Sequence, residues 1–66
     1  MRSFRTTEEF DIKGRGKVFV IPDLYDFDIG EKVEINGKVW IITSLERTDP
    51  RRNLGLVVRE ERRDET

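Results

Sequence analysis

The dipeptide Asn36-Gly37 is the feature that most constrains how this chain folds. It lies between two runs, residues 31–35 (EKVEI) and 38–42 (KVWII), in which Val and Ile recur. Asn-Gly is the preferred pair for a two-residue type I′ turn, because both turn positions need a positive φ. Since β-branched and aromatic residues favour strands, the sequence predicts a β-hairpin closed by this turn.

The turn also predicts which side chains share a face, because successive residues of a strand point to opposite sides. The register opposes Ile35 to Lys38, Val33 to Trp40 and Glu31 to Ile42. We therefore predict a core face formed by Val33, Ile35, Trp40 and Ile42. The other face carries Val39 and Ile41 beside charged residues, and we expect another strand or a protein partner to cover these two candidate contact residues.

The rest of the chain is also typical of an all-β protein. Val and Ile occur six times each against four Leu and no Ala, and no segment keeps a helical spacing of apolar residues. We expect further strands over 10–13, 17–21 and 54–59, and a continuation of the second hairpin strand over 42–47. This divides the chain into an N-terminal arm or short edge strand (1–9), one β-barrel domain (10–59) and a charged flexible tail (60–66).

Two connections between the strands carry chemistry-bearing residues. Gly14-Arg15-Gly16 fits either a bulge or tight bend, or a loop whose backbone approaches a phosphate. The acidic connection 22–30 contains three Asp residues that we interpret as turn-capping groups and not as metal ligands. Its apolar residues, Leu24, Tyr25, Phe27 and Ile29, are expected to fold onto the core.

The composition excludes several kinds of catalysis. The chain has no Cys and no His, which removes disulfides, Cys/His zinc sites, thiol nucleophiles and His acid–base chemistry. Its 66 residues leave little volume for a cleft lined by paired carboxylates. We therefore expect a protein that is not an enzyme, with no catalytic residue, no metal and no cofactor.

The charges nearly cancel, at 13 basic against 14 acidic residues. This balance argues against binding nucleic acid through bulk electrostatics. Local basic groups remain, with Lys13, Arg15 and Lys17 on one side and Arg47, Arg51 and Arg52 on the other. Since no apolar run approaches a membrane span and no signal peptide is visible, we expect a cytoplasmic location and no membrane partner.

Four sequence blocks occur in an order that resembles the second domain of elongation factor Tu and related translational GTPases. These blocks are residues 10–18 (FDIKGRGKV), 30–35 (GEKVEI), 42–47 (ITSLER) and 53–59 (NLGLVVR). The resemblance implies a small closed antiparallel β-barrel of about six strands with Greek-key connections. In that family the barrel is a docking surface for the GTPase domain, for charged tRNA and for ribosomal RNA, and it performs no chemistry.

The same resemblance assigns two residues and shows two departures. Glu46 matches the family glutamate beside the terminal adenosine of tRNA, and Asn53 matches the asparagine that opens the last block. The family arginine three positions after the glutamate is replaced by Asp49. No phosphate-binding loop of the type GxxxxGK[S/T] is present, so the GTPase domain is absent from this sequence.

These observations lead to three functional hypotheses. The first is a non-catalytic interaction module that docks on a larger protein, with Val39 and Ile41 as contacts. The second is an RNA-binding barrel that contacts tRNA or ribosomal RNA through basic and family-matched residues: Lys13, Arg15, Lys17, Glu46, Arg47, Arg51, Arg52 and Asn53. The third is a small phage- or virus-encoded protein that is structural or directed at a host factor. The sequence leaves the oligomeric state open.

Overall fold

A computed structural model describes residues 1–14, 16–47 and 52–61, and these residues form six strands without a helix. The strands are β1 (Arg2–Phe4), β2 (Glu9–Ile12), β3 (Gly16–Pro22), β4 (Lys32–Ile35), β5 (Lys38–Arg47) and β6 (Asn53–Glu60). They make one sheet with the order β1-β4-β5-β6-β3-β2. Neighbouring strands are antiparallel except for β1 and β4, which are parallel. The all-β prediction is confirmed.

The predicted hairpin is confirmed as β4 and β5. Asn36 and Gly37 have φ values of 55° and 86°, as a type I′ turn requires. Val33 pairs with Trp40 and Ile35 with Lys38, and the Ile42 amide donates to the Glu31 carbonyl at 3.0 Å. The predicted core face is confirmed as well, because Val33, Ile35, Trp40 and Ile42 are all buried.

The core lies on the inner face of a curled sheet. Its other buried members come from β3, from β6 and from the connection between β3 and β4: Phe19, Ile21, Phe27, Leu54, Leu56 and Val58. Of the four apolar residues of that connection, only Phe27 is buried, whereas Leu24, Tyr25 and Ile29 are exposed. Phe27 reaches the core because its ring packs against Phe4 of β1, with ring centroids 5.6 Å apart.

The sheet does not close into a barrel within the described residues, so the expected closure is not found. β1 pairs with β4 at one edge and β2 pairs with β3 at the other, and no ladder joins β1 to β2. The physical reason is that the N-terminal segment divides between the two edges. Only residues 5–8 connect these edge strands, a link of at most about 18 Å, so the sheet must curl to bring its edges together.

Thr6, in the segment between β1 and β2, makes hydrogen bonds to the β4–β5 turn and to β3. Its amide donates to Asn36 Oδ1 at 2.9 Å, and its carbonyl accepts from Asn36 Nδ2 at 2.8 Å. Its hydroxyl donates to the Val20 carbonyl at 2.8 Å and accepts from the Glu8 amide at 3.1 Å. The backbone of Thr6 therefore fixes the linker to the turn of the β4–β5 hairpin, and its side chain fixes the linker to β3.

The strands at the two ends of the chain can be compared with the predicted segments. Residues 2–4 of the N-terminal segment form an edge strand, and the last strand extends through Glu60 into the region predicted as the tail. Residues 62–66 of that tail lie outside the described residues, as do Arg15 and residues 48–51.

Candidate functional site

The outer face of the sheet carries an apolar surface that we call the outer patch. It consists of five residues from β2, β3 and β6: Phe10, Ile12, Val18, Val20 and Val57. Phe10 pairs with Val18, and Val18 pairs with Val57, so these three form one row across three strands. Phe10 is 61% exposed and the other four residues are half-buried. The outer patch therefore faces away from the core and remains accessible.

The sequence produces this patch because β3 is apolar on both faces. Phe19 and Ile21 enter the core, while Val18 and Val20 alternate with them on the outer face. A continuous apolar run is the pattern of a strand covered on both sides. The apolar run 18–21 is the sequence signal for this outer surface, which the predictions from the sequence missed.

The apolar side chains of β2 face away from the core, whereas those of the core-forming strands face into it. Its apolar residues Phe10 and Ile12 lie on the outer face, and Glu9 and Asp11 lie on the same side as the buried Phe19. This orientation follows from the register, in which Glu9 opposes Phe19 and Asp11 opposes Lys17. β2 therefore contributes charge at the rim of the core and apolar surface outside it.

Lys17 is held at this rim by the carboxylates of β2. Its Nζ lies 3.3 Å from Glu9 Oε1 and 3.4 Å from Asp11 Oδ1. The hydrogen bond to Glu9, with a further contribution from Asp11, raises the pKa of Lys17 above its usual value. The same ammonium group lies 5.9 Å from the centre of the Trp40 ring. Lys17 thus covers the edge of the core and is engaged by acidic groups.

Val39 and Ile41 lie on the outer face of β5, as predicted, and both are half-buried. Val39 pairs with Glu34, and Ile41 lies between Lys32 of β4 and Arg59 of β6. Charged neighbours therefore flank both residues, and the outer patch offers a larger apolar surface. Val57 lies two residues along β6 from Arg59, which makes Ile41 a diagonal neighbour of the outer patch.

The candidate RNA contacts are not brought together by the structure. Lys13 lies in the turn before β3 and Lys17 near the start of that strand, whereas Asn53 pairs with Pro22 at its far end. Pro22 follows Lys17 by five positions along the strand, or about 17 Å. Lys17 and Asn53 therefore lie at opposite ends of β3.

The remaining RNA candidates occupy the far end or lie outside the described residues. Arg47 Nε is 3.3 Å from the carboxylate of Asp23, whose side chain is nearly buried. Glu46 opposes Gly55 and its carboxylate accepts from Ser44 Oγ at 3.3 Å. The Arg52 carbonyl accepts from the Asp23 amide at 3.0 Å. Arg15 and Arg51 are among the residues that the structure does not describe.

A shallow depression of about 250 Å³ lies beside β1 and the hairpin turn, lined by Ser3, Phe4, Arg5, Glu34 and Gly37. Ser3 Oγ donates to Glu34 Oε1 at 2.7 Å, and these two residues are also paired in the ladder of β1 and β4. The contact joins two exposed side chains across neighbouring strands. Its evident role is to hold β1 on β4.

Two general features of the described residues bear on the kind of site that is present. Within 1–14, 16–47 and 52–61, no three acidic side chains lie together in a way that would hold a metal ion. The same residues include no helix of the length and apolarity needed to cross a membrane.

Comparison of this chain with protein-family models, with curated proteins and with solved structures finds no match.

Proposed function

We propose that this chain is a non-catalytic interaction module that docks on a larger protein through the outer patch. The observation that supports this most is Phe10, a large aromatic residue that is 61% exposed and continues an apolar row over three strands. Contiguous exposed apolar surface marks interaction sites, whereas single exposed apolar residues are ordinary. Leu24 and Ile29 are exposed too, but they belong to a connection and do not extend this row.

The surroundings of the outer patch have the composition of an interface. Aromatic residues contribute a large share of binding energy at the centre of interfaces. Glu46 and Arg59, both exposed, lie at the margin of the patch on β5 and β6. An apolar centre with a charged margin is the usual arrangement of a protein-binding surface. Val39 and Ile41 stay candidate contacts at the far side of this margin.

RNA binding stays a prediction without an observation that favours it over protein docking. Lys17 and Arg47 already form ion pairs with acidic residues of this chain. A salt series with tRNA tests the prediction directly, since affinity through phosphates falls steeply as salt increases. The phage or viral origin and the cytoplasmic location likewise stay predictions.

We further propose that the curled sheet is a variant of the barrel found in the second domain of translational GTPases, with Greek-key connectivity. The four sequence blocks support this, and so does the spatial order β3-β6-β5-β4, in which β3 lies beside β6 and not beside β4. The hydrogen bonds of Thr6 to the β4–β5 turn and to β3 also support a shape close to closure. A crystal structure in which β3 paired with β4 and not with β6 would contradict this connectivity.

The docking proposal is tested by comparing partner capture for the wild type and two variants in lysate of the native host. Phe10→Ser removes the aromatic centre of the outer patch, and Leu24→Ser removes an apolar residue elsewhere that is even more exposed. We expect one set of proteins to bind the wild type and Leu24→Ser, to be lost with Phe10→Ser, and to resist nuclease. Capture that is equal for all three proteins, or that nuclease abolishes, would contradict the proposal.

A further inference from the structure

The edge of β2 that faces away from β3 continues the outer patch, so what we infer from it rests on the proposed function and deepens it. β2 occupies one end of the sheet and pairs with β3 alone among the described strands. All but one of its four residues are exposed. An unpaired strand edge can accept another strand through its backbone N–H and C=O groups.

The hydrogen-bond pattern identifies which backbone groups are available. The Val20 amide donates to the Glu8 carbonyl at 3.0 Å, so Glu8 and Val20 form a hydrogen-bonded pair. In an antiparallel ladder such pairs alternate with non-bonded ones, which makes Phe10 and Ile12 the next residues bonded to β3. Glu9 and Asp11 therefore direct their amides and carbonyls away from β3, toward the open edge.

The two faces of β2 give this edge a chemical preference. Phe10 and Ile12 lie on the outer face, where they continue the outer patch. Glu9 and Asp11 lie on the other face, with side chains 45% and 82% exposed, and they share the single ammonium group of Lys17. Two carboxylates facing one cation leave an excess negative charge on that face.

We propose that β2 is the docking edge for an extended segment of a partner protein in which apolar and basic residues alternate. Its apolar side chains pack beside Phe10 and Ile12, and its Lys or Arg side chains lie opposite Glu9 and Asp11. Cross-strand apolar pairs and opposite charges both stabilise a sheet. The incoming strand thereby extends the outer patch and gains hydrogen bonds from the outward backbone groups.

A second copy of this chain is a poorer occupant of the same edge. Pairing of β2 with β2 of another molecule brings the carboxylates of Glu9 and Asp11 opposite their own counterparts. Like charges directly opposite each other destabilise a sheet. The charge of this face therefore selects a basic partner strand and disfavours self-association.

The test uses synthetic peptides of about eight residues, the length of an ordinary strand. One peptide alternates Val and Lys, a second alternates Val and Glu, and a third repeats the Val-Lys sequence with alternate backbone nitrogens methylated. We expect the Val-Lys peptide to bind at least roughly tenfold more tightly than the other two, since charge and edge hydrogen bonds each contribute to strand pairing. Binding should also slow hydrogen exchange at the amides of Glu9 and Asp11.

A charge-reversed protein provides the matched control. In the double variant Glu9→Lys with Asp11→Lys, the preference should invert toward the Val-Glu peptide, with an unchanged circular dichroism spectrum. Equal binding of the three peptides, no binding of the Val-Lys peptide, or unaltered exchange at Glu9 and Asp11 would overturn the inference. So would a dimer in analytical ultracentrifugation that the substitution Asp11→Pro dissolves.

The outcomes separate this inference from the function on which it rests. If partner capture depends on Phe10 but no Val-Lys peptide binds, the outer patch docks without strand addition, and only the edge proposal fails. If capture is indifferent to Phe10→Ser, the proposed function fails, whatever the peptides do.

Discussion

The two hairpins of this sheet are built from similar parts and use them in opposite ways. β4 directs Val33 and Ile35 into the core and leaves its charged residues outside. β2 does the reverse, because it places Phe10 outside and Glu9 at the rim of the core. Both hairpins supply the core, and the β2–β3 hairpin also adds an apolar surface outside it. The difference separates residues that stabilise the fold from those available for a partner.

The aromatic residues of the two hairpins give the largest expected contrast in stability. Trp40 is 8% exposed and packs edge-on against Phe19 at 5.3 Å, whereas Phe10 is 61% exposed. We expect Trp40→Ala to lower the free energy of unfolding by about 3–5 kcal/mol, enough to unfold much of a domain this small. Phe10→Ala should cost less than about 1 kcal/mol. Urea denaturation of both variants measures the difference.

A second tryptophan variant sharpens this result. Trp40 Nε1 is buried and has no hydrogen-bond acceptor among the described residues. Trp40→Phe therefore loses ring volume but no hydrogen bond, and it should cost clearly less than Trp40→Ala. If Trp40→Ala were as mild as Phe10→Ala, the division between a core aromatic residue and a surface one would be wrong.

The turn glycines differ in how closely other backbone approaches them. Substitution of Gly16 is expected to give the next largest loss of stability. Gly16 has φ of 121°, and a Cβ there would lie 2.3 Å from the Val58 carbonyl oxygen. Backbone must move to admit it, so Gly16→Ala should destabilise by about 2–4 kcal/mol. Gly14 has φ of 75°, and no atom of the described residues lies within 4 Å of a Cβ built there. Gly14→Ala should therefore cost only about 1 kcal/mol, and equal midpoints in denaturation would refute the close approach.

A substitution at Gly37 tests the turn of the β4–β5 hairpin, because there only the backbone conformation opposes a larger side chain. Its φ is 86°, and within the described part of the chain no neighbouring atom lies within 4 Å of a Cβ built there. A β-branched residue still pays the full cost of a positive φ, so Gly37→Val should destabilise by roughly 1–3 kcal/mol. Gly55→Ala is the comparison inside a strand, where the Cβ would meet Val18 Cγ1 at 3.3 Å and φ is not positive. An unfolding midpoint unchanged by Gly37→Val would contradict the type I′ turn.

The same comparison explains how far sequence reasoning could reach. Asn36-Gly37 dictates a local geometry, and the faces of β4 and β5 follow from it by alternation. Gly16 was recognisable as a bend, but its contact with Val58 depends on β6, which is more than 35 residues away. The outward orientation of Phe10 also depends on pairing with β3. Alternation within β2 shows that Phe10 and Ile12 share a face, but not which face meets the core.

The hydrogen bonds that hold the N-terminal segment to the hairpin turn could not be predicted from the sequence pattern either. Asn36 fits its turn position through its backbone, and that requirement is visible in the sequence. Its side chain also exchanges two hydrogen bonds with Thr6, 30 residues away. Closure of the barrel was expected from the resemblance alone, and the parallel pairing of β1 with β4 beside this long-range contact has no signal in the sequence pattern.

One ion pair beside each hairpin gives the smallest expected effect on stability. This effect depends on pH. Arg2 of β1 donates to Glu31, just before β4, at 2.7 Å, and the Asp28 amide donates to the other carboxylate oxygen at 3.1 Å. These contacts, chiefly the one to Arg2, lower the pKa of Glu31 below its usual value. The ionised form is therefore favoured more strongly in the folded state than in the unfolded state.

The sign of the pH dependence follows from that shift. Stability from Glu31 is present above its unfolded pKa of about 4.3 and is lost as pH falls through its lower folded pKa. Glu31→Gln should cost less than about 1 kcal/mol at pH 7, and its difference from wild type should shrink toward pH 3. Asp11→Asn, which alters a more exposed ion pair of the β2–β3 hairpin, should have the smaller effect at pH 7. Urea midpoints across pH 3–7 decide this, and a gap between Glu31→Gln and wild type that widened in acid would contradict the anchoring role of Glu31.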